Sequence, residues 1–414
     1  MISADNRNKK TKDVAANLAA PSEPPSAPGR QPTAKQSLAS RTAFFRVPRE
    51  GTPYFIAFTA KLCPGLAKDG ATSYVPAAIK TKGNRSDRLK RAVKDGDTVA
   101  IAFDGSQSIR FLGIDTPEKS YKAPFRLDSK GNPVFVDIGP HAAEWDAYLA
   151  DAVTPGGTHS VVLRETLRQR LVQRIVPGVA ANHALLAAAA SKALFDQVSK
   201  DIAELENGDP EAFGIFGAMA HEPFDGYGRV LAFLRPEQLD VPAAQRREAY
   251  NTRQLADGVA LPYFIWPNVD PFRKANLISE AVFSPTELRR RVRASQSLGE
   301  ARRAVRSARQ ARAPGSLFDP QQPLQLAGFE LRFLADKRTP SRVVIDLAAA
   351  DSEPILWPAD AYFVAPNPED RLHLPVEYVS LFKLPQHGWR DPTAQELDAK
   401  IAAAPNVGPT GLPL

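Results

Sequence analysis

From Asp95-Gly96-Asp97-Thr98-Val99 to Arg110-Phe111-Leu112-Gly113-Ile114-Asp115-Thr116-Pro117-Glu118, carboxylates and one guanidinium recur at spacings that let them act together. Two nearby carboxylates such as Asp97 and Asp115 repel unless a cation stands between them. Ligation by aspartate and backbone carbonyl oxygens suits a hard ion such as calcium or magnesium rather than zinc. Arg110 lies on the same segment as Asp115, and Glu118 follows three residues later. The set therefore offers a metal pair, a guanidinium and a spare carboxylate, which are the groups needed for water to attack a phosphodiester.

These residues need a scaffold that brings them together. The runs VAIAF and IRFLGI flank Asp104-Gly105, and Asp-Gly between apolar runs is a strong hairpin signal. A hairpin closed there puts its outer ends, with Asp97 and Asp115, side by side. Thr116-Pro117 disfavours helix at the threonine. Taken singly, each piece has a plain reading: DGDT as a turn, DTPE as a strand end, Arg110 as a surface ion pair. A further segment, Asp225-Gly226-Tyr227-Gly228-Arg229-Val230-Leu231-Ala232, reads as a glycine-containing turn that sets an arginine at the start of an apolar strand.

Together, DGDTV, RFLGIDTPE, Gly139-Pro140 opening a helix, DGYGRVLA and a last helix rich in Arg and Ala resemble the staphylococcal nuclease-like (thermonuclease) family. The likeness covers roughly residues 85–315, with insertions. It implies an α+β fold: a five-stranded OB-type Greek-key β-barrel with packed helices, here with a helical insertion and a C-terminal β-rich region. It further implies that Asp97 and Asp115 bind a calcium ion, or another hard divalent cation, with side-chain oxygens, and that Thr116 adds its carbonyl. Glu118 would take a proton from, or orient, the attacking water. Arg110 and Arg229 would hold the phosphate from two sides. Tyr227 would touch the nucleotide. Tyr263, which aligns with a shift of one residue, would stack on a base or simply be packed. Asp95 reads as a supporting residue or a plain turn residue. The expected activity is metal-dependent hydrolysis of DNA or RNA. The competing reading is a non-catalytic nucleic-acid-binding or scaffold protein on the same barrel; the intact set of Arg110, Glu118, Arg229 and both aspartates favours the enzyme.

The chain has 414 residues and a formal net charge of +7. Residues 287–312 hold nine arginines (289, 290, 291, 293, 302, 303, 306, 309 and 312) against Glu287 and Glu300, a surplus that matches the charge of the whole chain. Such a face attracts polyanions, or is a solvated amphipathic helix. Leu298, Ala301, Val305 and Ala308 form its apolar stripe. The lack of a long apolar run predicts no membrane span. The first residues carry no apolar leader, and the single cysteine, Cys63, excludes an internal disulfide. These features point to a cytoplasmic protein. The oligomeric state is not legible.

Composition divides the chain further. Residues 1–42, rich in Pro, Ala, Ser and Lys, read as a disordered tail. Residues 43–84 read as an N-terminal β extension with strands at the edge of the main domain, and 85–315 as the barrel domain. The stretch after Glu118 reads as a long loop beside the site, and Ser160–Leu163 as a strand. The insertion at about 165–220 is helical by propensity and pattern, with Leu194, Val198, Ile202 and Leu205 on one stripe. Residues 243–257 read as one helix. Beyond 316, the runs FELRFLA, RVVIDLA, AYFVA and VEYVSLFKL read as strands of a β-rich region extending to 414.

Overall fold

The structure is a computed structural model that describes residues 43–49, 52–63, 66–69, 73–76, 89, 91–103, 105–272 and 277–413. The tail expected at 1–42 and the turn residue Asp104 lie outside the described residues. The chain opens with strands β1 (Ala43–Arg49) and β2 (Thr52–Leu62), then a small hairpin of β3 (Leu66–Asp69) and β4 (Ser73–Pro76). Next come β5 (Val93–Asp95), β6 (Thr98–Phe103), β7 (Gly105–Phe111) and β8 (Gly113–Asp115). The segment after Glu118 is not a plain loop but a second hairpin, β9 (Lys122–Leu127) and β10 (Pro133–Asp137).

Helices α1 (Ala142–Ala152), α2 (Glu165–Arg174) and α3 (Val179–Leu205) follow. No strand forms at Ser160–Leu163. The insertion's helical part ends at Leu205, because residues from Gly214 onward already belong to β11 (Gly214–Phe224), which pairs with β12 (Val230–Pro236). The helix expected over 243–257 is confined to α4 (Tyr250–Ala256), preceded by a 3-10 turn at Ala243–Gln245. Strand β13 (Leu261–Ile265) leads to the arginine-rich segment, which is two helices: α5 (Pro285–Ala294) and α6 (Gln296–Ala311). They part at Ser295, whose side chain accepts a hydrogen bond from the Leu298 amide and so caps α6.

The barrel arises from strands whose residues are buried on a period of two. In β12, Val230, Ala232, Leu234 and Pro236 face inward while Leu231, Phe233 and Arg235 are only half-buried. Strands β2, β11, β12, β7 and β6 pair in that order, and a β2–β6 pairing closes the ring. All these pairs are antiparallel except β12 with β7. Strand β2 is therefore a member of the closed barrel rather than an edge addition; β1 lies outside it. Phe58, Ile101, Ile109, Phe111 and Leu234 are among the buried residues of this core.

A second core packs Trp145, Tyr148, Leu167, Leu171, Leu331, Leu334, Trp357 and Tyr362. It is built mainly from α1, α2 and the C-terminal region, and that region is not β-rich. FELRFLA forms helix α7 (Gly328–Ala335), AYFVA lies in a 3-10 segment, and VEYVSLFKL forms a 3-10 turn and the short helix α8 (Val379–Phe382). Among the described residues only β14 (Arg342–Asp346) and β15 (Arg371–Pro375) are strands there, before helix α9 (Ala394–Ala403). The apparent alternation in FELRFLA misleads because Glu330 is buried, held by the two terminal guanidinium nitrogens of Arg174 at 2.8 and 2.9 Å. A polar residue facing inward through an ion pair breaks the rule that alternation assumes.

Strand β8 leaves the barrel to pair with β13, and β13 pairs in turn with β15, giving a sheet ordered β14-β15-β13-β8. The end of β8, Asp115, thus stands where the two cores meet. Among the described residues, no helix is long and apolar enough to cross a membrane.

Candidate active site

The hairpin β6–β7 sets the geometry. Thr98 registers with Arg110, and the Phe111 amide donates to the Asp97 carbonyl at 2.7 Å. Asp97 therefore faces the strand that carries Arg110, and the short turn after Phe111 returns the chain to Asp115. The turn before Asp97 needs glycine at Gly96: a Cβ there would stand 2.6 Å from Ala190 Cβ on α3. Gln254 on α4 also donates to the Gly96 carbonyl at 2.5 Å, and buried Asn251 donates to the Leu112 carbonyl at 2.8 Å. The helical insertion and α4 thus brace both ends of the hairpin.

Arg110 forks across the two aspartates, 2.6 Å from Asp97 Oδ1 and 2.7 Å from Asp115 Oδ1. Its side chain is 14% exposed and that of Asp97 0%. Asp97 also accepts from Thr98 Oγ1 at 3.1 Å and from the Thr116 amide at 3.3 Å. Burial pushes the Asp97 carboxyl up to about 7; Arg110 opposes the rise, and Asp95 and Asp115 add to it. Glu118 is also raised from its ordinary value, by burial first, against the pull of Arg332 and Arg110.

Sequence reasoning missed Arg332. It donates to Asp115 Oδ1 at 2.9 Å and forms a short ion pair with Glu118 Oε1. It reaches them from α7, whose Phe329 amide also donates to Asp115 Oδ2 at 2.9 Å. Gly328 allows this approach, since a Cβ there would lie 2.6 Å from the Thr116 carbonyl oxygen and 2.7 Å from Asp115 Oδ2. His183 of α3 was also missed; its Nε2 accepts from the Glu118 amide at 2.7 Å. Burial lowers the His183 ring to about 4, so it is neutral and suited to accept. The one available signal for Arg332 was Glu330, which accepts from the Ala327 amide at 2.8 Å, as a glutamate in a helix's first turn does.

Beside the cluster lies a cavity of about 280 Å³. Tyr121, Tyr227, Tyr263, Arg332, Arg338 and Arg342 are among the residues lining it. Tyr263 is buried, stacked on Phe329 at 5.4 Å, and its hydroxyl accepts from Arg342 at 2.8 Å. Tyr227 is 80% exposed at the rim. The Arg229 guanidinium lies over the Tyr227 ring, 5.4 Å from its centre. Its Nε donates to Asp225 Oδ2 at 2.7 Å within its own turn, and it neither lines the cavity nor contacts the Arg110 cluster. The structure therefore brings together Asp97, Arg110, Asp115, Thr116 and Glu118, sets Tyr227 and Tyr263 around the neighbouring cavity, and leaves the Arg229 side chain on Asp225.

The residues do not fit a divalent ion in this arrangement. All four oxygens of Asp97 and Asp115 accept from N–H or O–H donors, and two guanidiniums hold them. The Thr116 carbonyl, expected as a third ligand, faces Gly328. Among the described residues no group of three or more His, Cys, Asp or Glu side chains is arranged to hold a metal ion.

The arginine-rich helices are likewise engaged. Buried Arg289 donates to the carbonyls of Asp346, Asp351 and Glu353. Arg290 and Arg291 bind Glu287, and Arg293 binds Asp351. Arg302 and Arg306 bind Asp370, and Arg306 and Arg309 bind Glu369. The expected stripe of Leu298, Ala301, Val305 and Ala308 is buried. No family model matches this chain, and no curated protein shows significant similarity to it, so the resemblance to the nuclease-like family rests on the motifs themselves.

Proposed function

We propose that the chain is a nuclease that hydrolyses phosphodiester bonds of DNA or RNA by water attack at phosphorus. The observation that carries this reading is the convergence of Asp97, Asp115 and Glu118 with Arg110 and Arg332 beside a cavity lined by tyrosines and arginines. Glu118 accepts the proton of the attacking water; its raised proton affinity brings it closer to the working range of a general base. Arg110 and Arg332 offset the charge that develops on the phosphoryl oxygens. Tyr227, exposed at the rim, receives a nucleotide whose base stacks on its aromatic face whatever its sequence, while Tyr263 is packed beneath the cavity. Arg229 contacts the phosphate from the rim once it leaves Asp225. The barrel itself is proposed to be OB-type. Numbered along the chain, its strands close in the order 1-2-3-5-4, and its third and fifth strands run parallel. A cytoplasmic setting is part of the proposal and rests on the single cysteine.

Incubating the purified chain with plasmid DNA and with RNA tests this. Cleavage that disappears in Glu118→Gln is the expected result. The second reading, a non-catalytic nucleic-acid binder, is favoured by the mutual neutralisation of the cluster's charges. Retained binding with no cleavage by the wild type would select it.

A further inference from the structure

We infer that Arg332 is a built-in organic cation that takes the place of a divalent ion, so that this site binds no metal. Three observations support it. The carboxylate oxygens of Asp97 and Asp115 are fully engaged by guanidinium, amide and hydroxyl donors. Even with all three carboxylates ionised, the two guanidiniums leave no more than a single negative charge, and a dication inserted there would lie against both Arg110 and Arg332.

The third observation is that α7 is not a removable plug. Glu330 on α7 is buried in its pair with Arg174 and bound by the Tyr362 hydroxyl. Tyr148 donates to the Ala335 carbonyl at 2.8 Å, and Leu331 and Leu334 are buried in the second core. Pulling the Phe329 amide away from Asp115 means drawing α7 out of that core, and breaking a buried ion pair on the way is strongly unfavourable.

A guanidinium can do part of a metal's work. It screens the repulsion between Asp115 and Glu118, and its planar fork matches phosphate oxygens. It cannot lower the pKa of a bound water as a Lewis acid does. Proton removal then falls to Glu118. Arg332 also lines the cavity, so it stands where it can touch a bound phosphate. The part of this inference that concerns turnover rests on the nuclease reading; the part that concerns ion binding does not.

The test is calcium titration of the chelator-stripped full chain by calorimetry, with the melting temperature followed in parallel. Wild type and Arg332→Lys should take up no ion and show no shift at millimolar calcium. Arg332→Gln leaves three carboxylates with one guanidinium. It should gain uptake of one ion per chain and a melting temperature that rises with calcium. Adding Asp97→Asn to that variant should abolish both. One calcium bound by the wild type and lost in Asp97→Asn overturns the inference, as does a folded Arg332→Gln chain that still binds nothing. Should Arg332→Gln fail to fold, the wild-type and Arg332→Lys titrations decide alone. Cleavage by the wild type should be unchanged in excess chelator; cleavage abolished by chelator and restored by calcium also overturns it. Absence of any cleavage sinks the nuclease reading and leaves the ion-binding result standing.

Discussion

Two clusters of arginine and carboxylate stand in this molecule with opposite stoichiometry. At the hairpin, Asp97, Asp115 and Glu118 share Arg110 and Arg332. On α6, buried Glu369 and Asp370 share Arg302, Arg306 and Arg309. The first cluster carries an excess carboxylate next to a cavity, so an acid group remains for chemistry. The second carries an excess of cation and ties a helix to the C-terminal region, which is a structural task. Arginine-rich sequence alone does not separate these cases; the partners do.

The largest expected effect tests the first cluster. Arg110→Ala strands two buried carboxylates, and removing one partner of a buried ion pair costs about 3–5 kcal/mol. Loss of a preorganised donor should also lower turnover on the order of a hundredfold. Chemical denaturation and single-turnover rates measure the two parts, and a variant with wild-type values of both would reduce Arg110 to an incidental contact. Glu118→Gln should separate chemistry from fold. Turnover should fall by about a hundredfold or more, a loss larger than the change in melting temperature that follows from its lost ion pair with Arg332 can explain. Unchanged turnover would mean that Glu118 only anchors Arg332.

The second cluster should show the reverse pattern. Glu369→Gln removes the carboxylate held by Arg306 and Arg309 and should destabilise by about 2–3 kcal/mol, below the range for fully buried pairs because Arg306 is solvated. Its single-turnover rate should be that of the wild type; a large drop would join the two clusters into one functional unit.

Two further groups give a pH signature confined to the first cluster. His183 is held at about 4 in the folded state, below the 6.5 of a free ring. The unfolded chain therefore binds the extra proton between these values, and stability falls as pH drops from about 6.5 to about 4. Asp97 is raised from 3.8 to about 7, so the folded state keeps a proton that the unfolded chain has lost. Its contribution is present at low pH and is lost as pH rises through about 7. Denaturation curves across pH 4–8 should therefore change slope in opposite directions in His183→Gln and Asp97→Asn. Equal slopes in both variants would remove the assignment. The smallest effect is expected at Arg303, which forms no ion pair among the described residues. Arg303→Gln should lower the salt slope of nucleic-acid binding by no more than about one unit. A larger change would make this exposed face, rather than the cavity, the principal contact.

Local patterns made the barrel side of the site readable. The hairpin register that places Asp97 beside Arg110 follows from a period of two and a tight turn, and the buried stripe of α6 follows from its helical spacing. The other half depends on contacts far apart in sequence. Arg332 meets Asp115 across 217 positions, and Glu330 beside it signals only the start of a helix, not that contact. FELRFLA reads as a strand because its alternation ignores Glu330, whose burial depends on Arg174 in a different helix. The nine arginines looked like one charged face because the partners of four of them (Arg293, Arg302, Arg306 and Arg309), Asp351, Glu369 and Asp370, lie in a region with no motif.

The passage of β8 from the barrel into the second sheet has a consequence for how this chain can be divided. Cutting after residue 315 would retain every residue of the hairpin motif. It would remove Arg332, the Phe329 amide on Asp115, and β15, through which β13 is joined to the rest of the second sheet. The motif is therefore portable as text but not as a module. Any truncation, fusion or graft that treats the barrel as self-sufficient would carry the carboxylates away from half of what holds them.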